Sequence, residues 1–188
     1  MAIFASGTGT NAAKIIEYFK HHAQIKVSII VSNRSDAGVW QIAKDNHIPA
    51  LLIRKEDFVD TKSLLQQFSI LDIQLIVLAG FLWKIPAALI QAYPNKIINL
   101  HPALLPQYGG KGMYGMHVHE AVIHNQEKES GITIHFVDEK YDHGRIIFQA
   151  KCQITNDDTA QSLSAKIRVL EHQYFAPQIE RLINSTSE

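Results

Sequence analysis

The apolar positions of this 188-residue chain fall into short continuous runs, and between them lie segments with helical spacing. Residues 1–6 form a strand-like apolar run that meets the turn Gly7-Thr8-Gly9-Thr10. Across 11–20, Ala12, Ile15, Ile16 and Phe19 recur at the spacing of one helical face. The β-branched run 25–31 predicts a second strand, 38–46 a helix and 50–53 a short strand. Residues 58–68 read as one amphipathic helix. The fully apolar run 75–79 has the character of a central parallel strand covered on both faces. Pro86 suits the start of a helix reaching Ala92, and 97–99 is the next strand.

This alternation predicts a doubly wound α/β fold with a mostly parallel sheet. The later chain changes character. A helix is expected over 116–124, and strands over 132–137 and 146–154 flank the turn Asp142-His143-Gly144 and pair antiparallel. Asp158 followed by Gln161 reads as a capping arrangement that opens a long last helix through Ile167 and Leu170 towards Leu182. Pro177 should kink or break that helix, and 184–188 reads as a frayed tail. With no repeat, linker or low-complexity tract, one domain over 1–188 is expected.

Charge narrows the function. Lys+Arg and Asp+Glu both number 18, so no global basic field draws the chain to nucleic acid or to a membrane surface. No apolar run approaches the roughly 20 residues of a membrane-spanning helix. The single Cys152 excludes an internal disulfide and fits a cytoplasmic setting; its strand-like surroundings suggest an inert core thiol. Small-molecule substrates are the expected partners of a monomer or homodimer.

Four places carry candidate chemistry. The loop Ser6-Gly7-Thr8-Gly9-Thr10-Asn11 sits between strand and helix, where glycines admit an anion to the backbone N–H groups of a helix start. Ala12 occupies the third glycine position of the dinucleotide pattern and the P-loop lysine is absent, so a phosphorylated metabolite suits it better than NAD or ATP. Asn99 and His101 stand two residues apart at the end of a strand and should share one face. An amide donor beside an imidazole can hold a developing oxyanion and manage a proton, which is equipment for acyl transfer. Asp142, if it folds over His101, would raise the imidazole pKa and relay protons. Residues 109–116 are glycine-rich and suit either a lid that closes over a substrate or a flexible surface excursion. His117, Glu120 and His124 fall on one helical face, but without H-E-x-x-H or cysteine ligands no metal is expected.

The ordered set Phe4-Ala5-Ser6-Gly7-Thr8-Gly9-Thr10-Asn11, Leu78-Ala79-Gly80-Phe81, Ile98-Asn99-Leu100-His101-Pro102-Ala103-Leu104-Leu105-Pro106, Gly131-Ile132-Thr133-Ile134-His135-Phe136-Val137, Tyr141-Asp142-His143-Gly144 and Leu170-Glu171-His172 covers nearly the whole chain. In this the chain resembles the phosphoribosylglycinamide formyltransferase family of folate-dependent formyltransferases. The resemblance implies a Rossmann-like formyltransferase fold and transfer of a formyl group from 10-formyltetrahydrofolate, the cosubstrate, to the amine of glycinamide ribonucleotide in purine biosynthesis. It implies Asn99, His101 and Asp142 as the catalytic group. The substrate phosphate would lie on Gly9, Thr10 and Asn11, and Glu171 would bind the ribose or glycinamide end. The pterin would be held by backbone at Leu82, Trp83, Lys84 and Ile85 and at Glu139, Lys140 and Tyr141. A cis Leu105-Pro106 bond is also implied. Leu82-Trp83-Lys84 and Arg168 depart from the family pattern. The alternatives are a formyltetrahydrofolate hydrolase, or a noncatalytic nucleotide- or folate-binding module that uses only the loop.

Overall fold

The computed structural model describes residues 1–185, which divide into two compact units, the first ending at Asn99 and the second beginning at Leu100. The first unit alternates strand and helix: β1 (Ala2–Phe4), α1 (Thr10–Phe19), β2 (Ile29–Ser32), α2 (Val39–Asp45), β3 (Ala50–Leu52), α3 (Lys55–Val59), α4 (Lys62–Ile70), β4 (Ile76–Leu78) and α5 (Ala87–Ala92). β5 (Ile97–His101) closes this unit, and its last two residues open the second. Every pairing here is parallel, with Ile3 opposite both Ile30 and Val77, and Val77 opposite Ile98. The order β3-β2-β1-β4-β5 steps outward from β1 to β3 and then returns to the other side of β1. With right-handed crossovers that reversal sends helices to both faces, so the fold is doubly wound. Burial on both faces explains the unbroken apolar strands: Ile3, Phe4 and Ile30 expose no surface.

The switch point between β1 and β4 is functionally informative, because ligands of such sheets bind beyond the strand ends where the order reverses. Residues 5–11 leave β1 there, and residues 79–85 leave β4.

The second unit holds α6 (Met116–His124), β6 (Glu129–Phe136), β7 (Ile146–Gln153) and α7 (Ala160–Ser185). β6 and β7 pair antiparallel, with a shift in register at Ile134/His135. α7 packs on α6 and on both strands, burying Leu163, Ile167, Phe175 and Ile179. Gly131 lies against the Ala150 carbonyl and the Leu104 side chain, where no Cβ fits.

Several expectations change. The helix expected over 58–68 is two helices, because Asp60 adopts an extended backbone (φ −111°, ψ 94°) and its carboxylate accepts from the Lys62 N–H at 3.2 Å. The side chain that ends one helix thus caps the next. The cap of the last helix is Thr159 with Ser162, not Asp158 with Gln161. Ser162 N–H donates to Thr159 Oγ1 at 3.2 Å and Thr159 N–H to Ser162 Oγ at 2.9 Å, a reciprocal box. Asp158 instead closes the preceding turn by accepting from Thr155 N–H at 2.8 Å. Pro177 does not break α7, which runs through it and includes Asn184 and Ser185; the rest of the expected tail lies outside the described residues. Cys152 is half-buried on β7 rather than in the core, and burial pushes its thiol pKa up.

Candidate active site

In the first unit the anion loop is shaped by Gly9. Its φ of 78° is left-handed, and a Cβ there would lie 2.8 Å from Ile42 Cδ1 and 2.9 Å from Val39. Both the dihedral and the close approach of α2 therefore demand glycine. Gly9 leads into α1, whose first turn carries no acidic side chain, so the N–H groups beginning at Thr10 present an uncompensated positive helix end. Thr10 is exposed and Asn11 half-buried.

Ser6 joins this loop to the segment after β4. Its N–H donates to the Gly80 carbonyl at 3.0 Å. Its hydroxyl donates to Asn33 Oδ1 at 2.6 Å and accepts from Leu82 N–H at 3.0 Å. The candidate phosphate loop and candidate pterin segment are thus tied together at the switch point. Within that segment Ile85 is buried, whereas Leu82 and Lys84 are exposed. Trp83 packs edge-on to Phe58 and Phe81, with ring centroids 5.7 and 6.4 Å away. The indole that departs from the family pattern is taken up by an aromatic cluster.

β5 places Asn99 and His101 two residues apart on one strand, hence on one face. His101 is only 3% exposed. Its Nε2 lies 2.7 Å from the Tyr108 carbonyl. A carbonyl oxygen only accepts, so Nε2 carries the hydrogen, and Nδ1 is the nitrogen that exchanges a proton. Nδ1 faces Asp142 Oδ2 at 3.5 Å.

Asp142, in the turn between β6 and β7, has a left-handed backbone (φ 51°). Its Oδ2 also accepts from Gly110 N–H at 2.9 Å, and its Oδ1 lies 3.6 Å from His135 Nε2. His135 Nδ1 donates to the Phe136 carbonyl at 2.8 Å. One carboxylate therefore stands between two imidazoles, each with its other nitrogen fixed by backbone. A Cβ on Gly109 would lie 2.5 Å from Leu105 Cδ2 and 3.2 Å from Asp142 Cβ, so the loop reaches Asp142 only because this residue is glycine.

The charges settle by competition. Burial pushes the His101 pKa down, Asp142 and the Tyr108 carbonyl pull it up, and burial wins, leaving it below 6.5. Asp142 raises it, as expected from the sequence, and burial outweighs that rise. For Asp142 burial pushes up, but His135, His101 and Gly110 N–H together hold the carboxyl below its ordinary value. His119 on α6, 4% exposed with Nδ1 unpartnered among the described residues, is pushed down by burial and then by the neighbouring His101.

The remaining candidates are separate. Glu139, Lys140 and Tyr141 are exposed, ordered in part by the Lys140 N–H bond to Asp138 at 2.8 Å. Glu171 is half-buried and Arg168 exposed, both on α7. His117 pairs with Glu120 at 3.4 Å on the exposed face of α6. Leu105-Pro106 is cis, as the resemblance implies. Around it Thr133 Oγ1 accepts from Leu105 N–H and donates to the Ala103 carbonyl, and Gln149 Nε2 donates to the Leu105 carbonyl. Sequence reading assigned no role to His135 or Tyr108. The signal for His135 was a histidine within an apolar strand; for Tyr108, which acts through its carbonyl, there was none.

Residues 1–179 match the family described as formyl transferase. A chloroplastic phosphoribosylglycinamide formyltransferase of Vigna unguiculata is 42% identical over 193 residues, covering 97% of this chain and 60% of the relative. The chain thus spans about three-fifths of the length of that plant relative. A phosphoribosylglycinamide formyltransferase of Bacillus subtilis is 33% identical over 97% of this chain and 93% of its own. The crystal structure of the enzyme of that name from Bacillus halodurans superposes with a TM-score of 0.88 at 33% identity, covering 100% of this chain and 96% of the other. With most of its length matched and its fold shared, the chain belongs to the formyl transferase family.

Proposed function

We propose that this chain is a phosphoribosylglycinamide formyltransferase acting as one formyltransferase domain, which passes a formyl group from 10-formyltetrahydrofolate to the amine of glycinamide ribonucleotide in purine biosynthesis. The observation that carries the reading is the His101 tautomer: Nε2 is fixed by the Tyr108 carbonyl and Nδ1 is directed at Asp142. A buried imidazole that is neutral at rest and faces a carboxylate takes up a proton readily as negative charge develops beside it.

In this mechanism the substrate amine attacks the formyl carbon directly. The Asn99 amide and His101, protonated as charge builds, stabilise the oxyanion on the formyl oxygen. Asp142, ionised at rest, supports the imidazolium, takes up the proton that the attacking amine sheds and gives it to the departing folate nitrogen, ending ionised again. No acyl-enzyme forms, and Cys152 takes no part. Gly9, Thr10 and Asn11 take the substrate phosphate, and Glu171 the ribose or glycinamide end. Backbone of Leu82, Trp83, Lys84 and Ile85, with Glu139, Lys140 and Tyr141, takes the pterin. The left-handed Gly9 and the bare helix start support the phosphate placement. No described helix is long and apolar enough to cross a membrane. We place the enzyme in the cytoplasm; fractionation of the source cells tests this.

Purified protein incubated with glycinamide ribonucleotide and a 10-formyl folate donor tests the reaction, with folate release followed optically and product by mass. Formylated product that requires both substrates supports the transferase. Folate release without acceptor identifies a hydrolase. Ligand binding without release identifies a binding module.

A further inference from the structure

Tyr108 occupies an unfavourable backbone region for a large side chain, with φ at 56°. Such conformations persist only where the surroundings over-determine them. Here the restraint is at the far end of the side chain. The Tyr108 hydroxyl donates to Glu127 Oε1 at 2.6 Å and accepts from Asn125 Nδ2 at 2.9 Å, both in the turn between α6 and β6. The backbone so held directs the Tyr108 carbonyl at His101 Nε2, and two residues on, Gly110 N–H meets Asp142. One loop therefore grips both members of the proton-handling pair from its main chain.

We propose that Tyr108 is a positioning residue whose hydroxyl, anchored by Glu127 and Asn125, holds His101 in the Nε2–H tautomer and so keeps Nδ1 open for proton exchange with Asp142. The inference rests on the formyl-transfer reading for its consequence in turnover, but the tautomer is a property of the protein alone. Without the hydroxyl anchor, residue 108 relaxes from the left-handed region and its carbonyl turns away. The buried Nε2–H then loses its acceptor, and the ring moves its hydrogen to Nδ1, where Asp142 accepts it. That tautomer closes the atom the reaction uses. The titratable groups facing the imidazole are Asp142 from the β6–β7 turn, His135 from β6 and His119 from α6, and none is altered by the change.

The test is Tyr108→Phe, read by heteronuclear NMR of the imidazole nitrogens, with the His101 signals assigned by their loss in His101→Gln. In the unaltered protein Nε2 should give a protonated and Nδ1 an unprotonated signature. In Tyr108→Phe the two should move towards one another or exchange, and the His101 titration midpoint should fall. Turnover should drop about 10- to 100-fold, the scale of a misplaced catalytic group, with KM for both substrates within about twofold. Glu127→Gln, which keeps an acceptor for the hydroxyl, should retain the tautomer, and Glu127→Ala should lose it. Should Tyr108→Phe fail to fold, the Glu127 pair gives the same reading from outside the loop. An unchanged tautomer and pH profile in Tyr108→Phe or Glu127→Ala overturns the proposal. An unaltered protein that shows the expected tautomer but no formyl transfer overturns the functional reading and leaves the tautomer assignment standing.

Discussion

His101 Nδ1 lies 3.5 Å from Asp142 Oδ2, while the opposite ring nitrogen is engaged by a backbone carbonyl. The imidazole thus has one fixed end and one working end. The gap at that end is longer than a direct hydrogen bond, so the two groups face one another without being locked together. Asn99→Ala, which removes the amide donor on the same strand face, should lower turnover roughly 10²–10³-fold, or about 3–4 kcal/mol. Steady-state assay checks this, and near-full turnover would remove Asn99 from the catalytic group.

The imidazole's titration follows from its neighbours. NMR of the protein should show His101 titrating below 6.5, because burial outweighs the pull of Asp142. Asp142→Asn removes the largest upward influence and should move the midpoint lower still. A rise would mean that the two side chains are not in electrostatic contact.

Stability should depend on pH with a definite sign. His101 and His119 both have folded pKa values below 6.5, so below that pH the unfolded chain binds more protons than the folded one. Their contribution is present above 6.5 and is lost as pH falls through the folded values. Asp142, also lowered, acts in the same direction at more acid pH. Urea midpoints should therefore fall between pH 7.5 and 5.5, and less steeply in His101→Gln. Equal slopes would show that His101 is not linked to folding.

Gly9→Ala should destabilise the first unit by at least about 1–2 kcal/mol, the cost of a left-handed backbone for a residue with a Cβ. The contacts with Val39 and Ile42 add to this. The urea midpoint reports the loss. Thr10→Val and Asn11→Ala should leave the fold intact and raise KM for a phosphorylated acceptor, with little effect on an unphosphorylated amine.

The alternation of apolar runs and helical spacing gave away the parallel half of the fold, because β1 and β4 are buried on both faces and no polar residue interrupts them. Asn99 and His101 were legible as a polar pair at a strand end and Asp142 as a turn carboxylate, and the structure brings Asp142 to His101. Less legible was whatever main chain decides. Asp60 divides α3 from α4 through a carboxylate cap that periodicity does not register. Pro177 was expected to interrupt α7, yet the packing of Phe175, Ala176 and Ile179 outweighs the one backbone bond a proline forfeits. The balance of burial against Asp142 at His101 is likewise a property of the folded interior, invisible to a reading that sees only which residues are present.

Ser6 has one hydrogen to give, and Asn33 takes it, so the lone pair that receives Leu82 N–H is set by a residue on another strand's exit. For protein engineering this makes residues 80–85 a poor cassette. A segment transplanted from another chain would arrive with its first turn referenced to a different serine, and its register with the glycine loop would shift with it. On the proposed reading of residues 82–85 as the folate segment, libraries aimed at a new formyl donor should keep Ser6, Asn33 and Gly80 as a fixed joint.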